Sequence, residues 1–323
     1  SWYEFKPIIK MINFLYCFDD NYNIPAMCSI YSLLEKVDEK IVINIMHKSL
    51  ENAHNFPKKI INHKMLSKLN VYKVDLFGKR FPNIEGSHVS EATYYRLFIE
   101  NYLDSDINNL VYLDCDVICI NNPLRAIKSE LENISNSQKV VGVFPESSMN
   151  NYGEEKFNLK NSYFNAGVMM INYRSWKSQN LLNEFVNTIN NFSEELKFWD
   201  QDVLNIQLNE KYKTISTYFN YKVDMDGYEI SKFQIQKEFD KIYFLHYSGK
   251  YKPWSIKGAL NLNSEYFHSI YRELYSNNYF FLYNYKKNAL NDLLVGFKNL
   301  SIFKVKYPIS FMITALKSLS KFQ

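Results

Sequence analysis

Short apolar runs alternate with longer amphipathic segments along most of this chain, and this alternation restricts the fold more than any other feature. Strands are predicted at 12–18, 40–46, 71–76, 110–120, 139–144, 166–172 and 241–246. Helices are predicted at 24–36, 50–68, 89–102, 181–192 and 200–208, with a polar loop at 145–162. Strands that alternate with helices favour a mostly parallel sheet covered on both faces. The sequence therefore predicts an α/β fold whose ligands gather at the carboxyl ends of the strands.

Composition and charge narrow the function classes. Of 323 residues, 46% are hydrophobic, which is enough for a large core and excludes a chain that is disordered throughout. The formal net charge is only +4, and the basic residues are spread along the sequence. That pattern does not indicate a nucleic-acid partner, whereas a polyanionic ligand or an anionic membrane surface is compatible with it.

The four cysteines indicate the redox compartment. Cys17, Cys115 and Cys119 lie in apolar runs, and Cys28 falls in a predicted helix. Cys115 and Cys119 would be about 13 Å apart on one strand, too far for a disulfide. No CxxC pair suggests zinc. We expect four buried, reduced thiols. With no recognisable secretory signal and no apolar run of about 18 residues, we expect a cytoplasmic protein.

Two carboxylates form the motif Asp-x-Asp at the end of an apolar strand. In an extended strand, Asp114 and Asp116 would lie on the same face, roughly 6–7 Å apart at their Cα atoms. Such a pair is stabilised by a cation, and Mg²⁺ or Mn²⁺ would offset the charge that develops on a departing diphosphate. The alternatives are a solvated strand end and a phosphatase of the dehalogenase type. The phosphatase motif normally follows the first strand, which does not match this position.

Five separated regions of the chain together resemble the family 8 retaining glycosyltransferases. This family includes bacterial lipopolysaccharide galactosyl- and glucosyltransferases and, more distantly, glycogenin. The matching segments are FDDNY at 18–22, ATYYRLF at 92–98, VYLDCDV at 111–117, YFNAGVMMIN at 163–172 with WDQDVLN at 199–205, and HYSGKYKPW at 246–254. The resemblance covers about residues 12–255 and implies a GT-A fold, a UDP-sugar donor, a divalent cation and retention of configuration. We expect UDP-glucose or UDP-galactose as the donor, a catalytic domain at 1–265 and a helical extension at 266–323.

The resemblance assigns the first two segments to the donor. Asp19, Asn21 and Tyr22 would contact uridine, for which polar partners and an aromatic face are suitable. The alternative for this segment is a capping turn before the helix. Arg96 would hydrogen-bond the donor sugar, since a guanidinium group suits vicinal hydroxyls and phosphate. An ion-paired structural arginine is the alternative.

The next segments would surround the sugar. Asn165 and Ala166 would contact the donor, with Gly167 allowing close approach of a ligand, and simple core packing is the alternative. Asp200 would bind sugar hydroxyls and Gln201 would lie beneath the anomeric carbon; a helix N-terminus is the alternative. A carboxamide is a poor nucleophile, so we favour front-face substitution in which a diphosphate oxygen helps to deprotonate the acceptor.

The last segment completes the predicted cation and diphosphate site. By resemblance, His246 joins Asp114 and Asp116 as a metal ligand, although a lone histidine at a strand end is often structural. Imidazole among oxygen ligands suits Mn²⁺ better than Mg²⁺. Gly249 and Lys252 would contact the diphosphate, and Cys115, between the two aspartates, is included among the donor-binding residues.

The C-terminal segment 308–322 predicts an amphipathic helix. Its apolar positions are Ile309, Met312, Ile313, Leu316 and Leu319, with Lys317 and Lys321 beside them. It could attach peripherally to the inner face of the cytoplasmic membrane, pack on the catalytic domain, or form an oligomer contact. The sequence as a whole predicts a hexosyltransferase acting on a glycan acceptor carried by lipid or protein. A catalytically dead scaffold and a phosphatase or nucleotidyltransferase are the alternatives.

Overall fold

The computed structural model describes residues 11–49, 55–76, 81–82, 90–223, 225, 232–282 and 288–320. The strands are β1 Asn13–Phe18, β2 Ile41–His47, β3 Leu66–Lys73, β4 Asn109–Leu113, β5 Val117–Cys119, β6 Val141–Pro145, β7 Phe164–Asn172, β8 Tyr212–Thr214, β9 Tyr221–Lys222 and β10 Phe244–His246. The α-helices are α1 Asn23–Lys36, α2 Lys58–Ile61, α3 Leu124–Asn136, α4 Asn150–Phe157, α5 Tyr173–Ser178, α6 Leu181–Asn191, α7 Trp199–Leu208, α8 Lys232–Glu238, α9 Ile256–Ala259, α10 Glu265–Tyr275, α11 Ala289–Lys298 and α12 Pro308–Ser320. The 3₁₀ helices include Asp20–Tyr22, Glu91–Asn101, Thr217–Phe219 and Phe239–Lys241.

A seven-stranded sheet in the order β3-β2-β1-β4-β7-β6-β8 forms the centre of the molecule. Strands β3, β2, β1 and β4 run parallel to one another, as do β6 and β8, while β7 runs antiparallel to both of its neighbours. A second, small sheet has the order β5-β10-β9. The predicted α/β class with a mostly parallel sheet is therefore confirmed.

Helices cover both faces of the large sheet because its strands carry apolar residues on both sides. Along β1, Leu15 and Cys17 face a core shared with the 3₁₀ helix Glu91–Asn101, α6 and α7. Phe14, Tyr16 and Phe18 face the opposite core, which α1 and α3 cover. Continuous apolar strands of this kind are expected for a parallel sheet that is buried on both faces.

Several predicted boundaries are wrong. The run 110–120 is not one strand, because the chain leaves the large sheet after Leu113 and enters the small one at Val117. The predicted helix 50–68 is reduced to α2 in the described residues, and β3 begins at Leu66. The predicted loop 145–162 contains α4, and the predicted strand 241–246 begins only at Phe244. All four cysteines are free and buried, as predicted.

The helices that follow the small sheet pack in two groups. Helix α10 packs against α1, and its Phe267 and Tyr271 belong to the same core as Ile118 and Leu245. Helices α11 and α12 form a separate apolar cluster with α9 and the segment around Tyr279. Within the described residues, no helix combines the length and apolar character needed to cross a bilayer.

His268 links α10 to the loop that follows the small sheet, and we expect it to make the protein acid-sensitive. Its Nε2 lies 3.0 Å from the carbonyl oxygen of Pro253, and burial, reinforced by the Arg272 charge, lowers the pKa of His268 to about 3. A histidine with a lowered folded-state pKa contributes stability above its unfolded pKa of about 6.5, and this contribution is lost as the pH falls below that value. Between pH 7 and pH 4 the loss should be about 3 kcal/mol. The free energy of unfolding, measured with urea across this range, should depend less on pH in His268→Gln than in the parent. An equal pH dependence of the two proteins would contradict this role of His268.

Candidate active site

The two aspartates of the Asp-x-Asp motif lie in the turn that joins the two sheets. The backbone N–H of Asp114 donates to the carbonyl oxygen of Gly167 on β7 at 2.8 Å, and the N–H of Tyr247 donates to that of Asp116 at 3.0 Å. Strand β10 pairs with β5 so that His246 is opposite Val117. The turn is therefore held from both sheets, and these backbone contacts bring the two carboxylates toward His246.

Asp114, Asp116 and His246 form a cluster suited to a divalent cation. One ligand atom from each residue can be chosen such that all three atoms lie within 4.8 Å of one another. Nε2 of His246 is 3.2 Å from Oδ1 of Asp116 and 4.0 Å from Oδ2 of Asp114. Oδ1 of Asp116 is buried and makes no hydrogen bond. Two carboxylates and one imidazole, with one carboxylate oxygen buried and without a hydrogen bond, fit a Mn²⁺ or Mg²⁺ ion.

Lys252 lies on the other side of Asp116. Its Nζ is 2.5 Å from Oδ2 of Asp116 and donates to the carbonyl oxygen of Tyr247 at 2.7 Å. Burial alone would raise the pKa of Asp116, but the charge of the neighbouring Lys252 ammonium outweighs burial and helps to hold this pKa well below its usual range. Asp116 is therefore ionised at neutral pH, as a metal ligand must be.

Arg96 connects three elements beneath the cation cluster. Its Nε donates to Asp200 at the start of α7, and its Nη1 donates to Oδ1 of Asp114 at 3.1 Å and to the carbonyl oxygen of Ala166 at 2.8 Å. The guanidinium group also lies 4.6 Å from the centre of the Tyr112 ring. Arg96 is thus buried and hydrogen-bonded to several protein groups. These contacts match the alternative prediction that Arg96 is an ion-paired structural arginine.

Asp200 and Gln201 are both held by protein groups. One oxygen of Asp200 accepts the hydroxyl of Thr93 and the other accepts Arg96. Oε1 of Gln201 accepts the N–H of Ala166 at 3.0 Å, and Nε2 of Gln201 lies 3.4 Å from the hydroxyl oxygen of Tyr163. Burial raises the pKa of Asp200, whereas Arg96 and the hydrogen bonds from Arg96 and Thr93 lower it.

An open cleft lies directly above the motif. Asp19 and Tyr22 line one part of this cleft, and Asp114, Cys115, Asp116 and Lys252 line another. Asp19 also caps the 3₁₀ helix Asp20–Tyr22, because its carboxylate accepts a hydrogen bond from the N–H of Asn21 at 3.0 Å. The capping turn that was the alternative prediction for this segment is therefore present. Asn21 is exposed and is not among the residues that line the cleft.

The sequence reading missed several groups that shape the site. Ser90, Thr93 and Tyr112 also line the cleft, and the hydroxyl of Tyr112 donates to Oδ1 of Asp114 at 2.6 Å. Asn220 lies 2.7 Å from His246 and 2.9 Å from Asn165. Tyr112 precedes Asp114 by two positions in the sequence, and strand periodicity could have indicated it, whereas no local pattern marks Asn220.

The two glycines of the site have different surroundings. A Cβ on Gly167 would lie 2.2 Å from Cε1 of His246. The absence of a side chain at Gly167 therefore leaves space for the imidazole ring of His246. Gly249 has a φ of 96°, which favours glycine, and a Cβ there would meet no atom within 4 Å. The loop after β10 therefore turns at Gly249, before it reaches Lys252.

Comparison with known proteins identifies the family. Residues 13–258 match the model described as Glycosyl transferase family 8. The chain belongs to this family. As a family 8 glycosyltransferase, it is similar to a lipopolysaccharide 1,2-glucosyltransferase of Escherichia coli, with 28% identity over 83% of this chain and 84% of the relative. A lipopolysaccharide 1,3-galactosyltransferase of Salmonella typhimurium (strain LT2) is 24% identical over 79% of this chain and 76% of the relative.

The fold of this family 8 glycosyltransferase also matches a solved structure. The galactosyltransferase LgtC, determined in complex with donor and acceptor sugar analogs, superposes with a TM-score of 0.66 at 19% identity, covering 82% of this chain and 96% of LgtC. The expected GT-A fold with a helical C-terminal region is therefore confirmed. The protein is a glycosyltransferase of the class that contains lipopolysaccharide hexosyltransferases.

Proposed function

We propose that this protein transfers a hexose, glucose or galactose, from a UDP-sugar to a glycan acceptor, with retention of configuration and with Mn²⁺ as cofactor. The observation that carries this proposal is the grouping of Asp114, Asp116 and His246, with Lys252 beside them, next to an open cleft that Asp114, Asp116 and Lys252 line. The bound cation would neutralise the charge that appears on the diphosphate as the sugar departs. Lys252 would supply a further positive charge to the same oxygens, and Gly249 would let its loop approach them.

The remaining site residues are assigned by their positions around the cation. Asp19 and Tyr22 line the same cleft, where they would contact uridine together with Asn21. Cys115 lines the cleft beside the diphosphate position. Arg96, Asp200, Asn165 and Ala166 would form the sugar side, since hydrogen bonds connect Arg96 to both Ala166 and Asp200. We also propose 1–265 as the catalytic domain and 266–323 as its helical extension.

We propose front-face substitution because neither group beneath the sugar is a free nucleophile. Oε1 of Gln201 already accepts a backbone N–H, and Asp200 is paired with Arg96. Gln201 and Asp200 would orient the sugar while a diphosphate oxygen takes the proton of the acceptor. If Gln201→Ala lost all activity and Gln201→Glu accumulated a glycosyl-enzyme detectable by mass spectrometry, a double-displacement mechanism would replace this one.

The experiment that tests the function is a screen for donor hydrolysis. UDP-glucose, UDP-galactose and their N-acetyl forms are incubated with the protein and Mn²⁺, and free UDP is measured. We expect slow release of UDP from glucose or galactose donors and its suppression by a chelator. A dead scaffold would be stabilised by UDP and Mn²⁺ without hydrolysing any donor. Release of inorganic phosphate or pyrophosphate would instead identify a phosphatase or nucleotidyltransferase.

We further propose that the protein works in the cytoplasm, at the inner face of the membrane. Four free, buried cysteines are suited to a reducing compartment. Helices α11 and α12 each carry an inward apolar stripe and a second one that faces solvent. The outward stripes are Leu290, Leu294 and Phe297 on α11, and Ile309, Ile313 and Leu316 on α12. Within 288–320 the basic residues are Lys298, Lys304, Lys306 and Lys317, against the single acid Asp292, although Lys306 also pairs with Glu265. Exposed apolar stripes on a net basic segment are suited to an anionic lipid surface.

Vesicle binding should depend on these outward stripes. Ile313→Glu with Leu316→Glu places two negative charges on the exposed face without altering the inward residues Phe311 and Ala315. We expect the parent protein to sediment with vesicles containing phosphatidylglycerol, and the double variant to bind at least about tenfold less, because charged groups are costly at the acyl boundary. Thermal unfolding provides the folding control. Equal sedimentation of both proteins, or a parent dimer that the variant dissociates, would contradict the membrane assignment.

A further inference from the structure

A chain of hydrogen bonds behind the cation cluster orients its imidazole. Asn220 is 4% exposed and lies between the 3₁₀ helix Thr217–Phe219 and β9. Strand β9 runs parallel to β10, with Lys222 beside His246. This pairing brings the side chain of Asn220 within 2.7 Å of Nδ1 of His246, on the side of the ring away from the aspartates.

The direction of each hydrogen bond in this chain follows from one backbone group. The N–H of Gly167 can only donate, and it lies 2.9 Å from Oδ1 of Asn165, so that atom is an acceptor. The same oxygen lies 2.9 Å from Asn220, which must present its Nδ2 donor there. Oδ1 of Asn220 then faces Nδ1 of His246. Because an amide oxygen only accepts, Nδ1 of His246 carries the proton.

The other imidazole nitrogen is then free to bind a cation. In a neutral ring protonated at Nδ1, Nε2 has a lone pair. This lone pair is directed at the cluster, 3.2 Å from Oδ1 of Asp116, which is itself a buried oxygen without a hydrogen bond. Two unprotonated acceptors that face each other inside a protein are unfavourable unless a positive charge lies between them.

We propose that Asn220 is a positioning residue that fixes His246 in the tautomer with Nε2 unprotonated, and thereby sets the affinity of the site for its divalent cation. This inference rests on the proposed metal-dependent function. Asn165 acts in the same chain by fixing the orientation of the Asn220 amide, and Gly167 both starts the chain and leaves space for the ring. Groups that orient a metal-binding imidazole in this way typically contribute 10–100-fold to metal affinity.

The tautomer can be measured without any metal. Long-range ¹H–¹⁵N correlation spectra of the ¹⁵N-histidine-labelled protein at pH 8 report which ring nitrogen is protonated, and the spectrum of His246→Asn identifies the His246 signals. We expect Nδ1 to carry a proton in the parent, and this fixed protonation of Nδ1 to be lost in Asn220→Leu. A parent protein with Nδ1 unprotonated would overturn the inference.

Metal affinity gives the second readout. Mn²⁺ binding is titrated by electron paramagnetic resonance of the free ion. We expect Asn220→Leu to weaken binding about 10–100-fold. Asn220→Asp should weaken it less than Asn220→Leu, because a carboxylate oxygen still accepts the Nδ1 proton although the donor to Asn165 is lost. Asn209→Leu removes another buried amide, which accepts the backbone N–H of Asn161 and donates to its carbonyl oxygen away from the cluster, and should leave Mn²⁺ affinity unchanged.

The outcomes separate this inference from the proposed function. If a folded Asn220→Leu variant binds Mn²⁺ as tightly as the parent, the positioning role is wrong while donor hydrolysis by the parent still supports the transferase. If the parent neither binds Mn²⁺ nor hydrolyses a UDP-sugar, the metal-dependent function fails, and the affinity role assigned to Asn220 fails with it. The spectra would then still decide the tautomer independently.

Discussion

Asp116→Asn is expected to reduce the rate of sugar transfer at least about 10³-fold, because it removes a buried ligand at the centre of the proposed cation site. Asp116 is the residue that both His246 and Lys252 contact, at 3.2 and 2.5 Å. The amide keeps the shape of the side chain but removes its charge, so the variant should lose Mn²⁺ affinity and transition-state stabilisation together. The measurements are the rate of UDP release from the preferred donor and Mn²⁺ titration of each protein.

Two further variants distinguish loss of the ligand from loss of the fold. Asp116→Asn leaves the Lys252 ammonium buried without its carboxylate and can therefore lower stability. Asp114→Asn acts on a side chain that is 30% exposed and should lower the rate with less effect on folding. Asp106→Asn changes an exposed aspartate away from the site and should alter neither property. Full activity of a folded Asp116→Asn protein would exclude the metal-dependent mechanism.

The central strands β1 and β2 could be predicted from the sequence because buried parallel strands leave uninterrupted apolar runs. Strand β3, none of whose residues is fully buried, was placed about five residues too late, and the short strands β8 and β9 were not predicted. Residues 13–18 and 41–47 are nearly continuous apolar segments, and each was recognised within one residue of its ends. The break between Leu113 and Val117 was not readable, since β4, the motif and β5 form a single apolar run with two aspartates in it. Helix α4 was missed because its sequence NNYGEEKF is polar and contains glycine, so tertiary contacts outweigh its low helix propensity.

The cation cluster was predicted residue by residue, whereas the groups that support it were not. Asp114, Asp116 and His246 carry unusual chemistry at strand ends, and the structure brings the three together as expected. Asn220 and Thr93 are common polar residues, and their roles depend on which neighbours the fold supplies. Asp200 was predicted to bind the donor sugar, but its contact with Arg96 joins positions 104 residues apart, which no local pattern could reveal.

Arg96→Met is expected to lower the free energy of unfolding by about 3–5 kcal/mol at pH 8 and to abolish most transfer activity. Arg96 is 5% exposed and Asp200 only 1%, so removing the guanidinium leaves a buried carboxylate with Thr93 as its remaining polar partner. The substitution also removes the hydrogen bonds that Arg96 donates to Asp114 and to the carbonyl oxygen of Ala166. Arg96→Lys should recover only part of the loss, since one ammonium group cannot reproduce these three directed contacts.

The pH dependence of this variant identifies the buried charge as the cause. Burial already raises the pKa of Asp200 and Arg96 opposes that effect, so the pKa rises further when Arg96 is removed. A protonated Asp200 carries no charge to bury. The difference in unfolding free energy between parent and Arg96→Met should therefore shrink as the pH falls from 8 to 5. Adding Asp200→Asn should also reduce it, whereas Arg125→Met, on the exposed face of α3, should change stability by less than about 0.5 kcal/mol. A stability difference that stayed constant across this pH range in urea unfolding would mean that lost packing, and not an unpaired carboxylate, makes Arg96 indispensable.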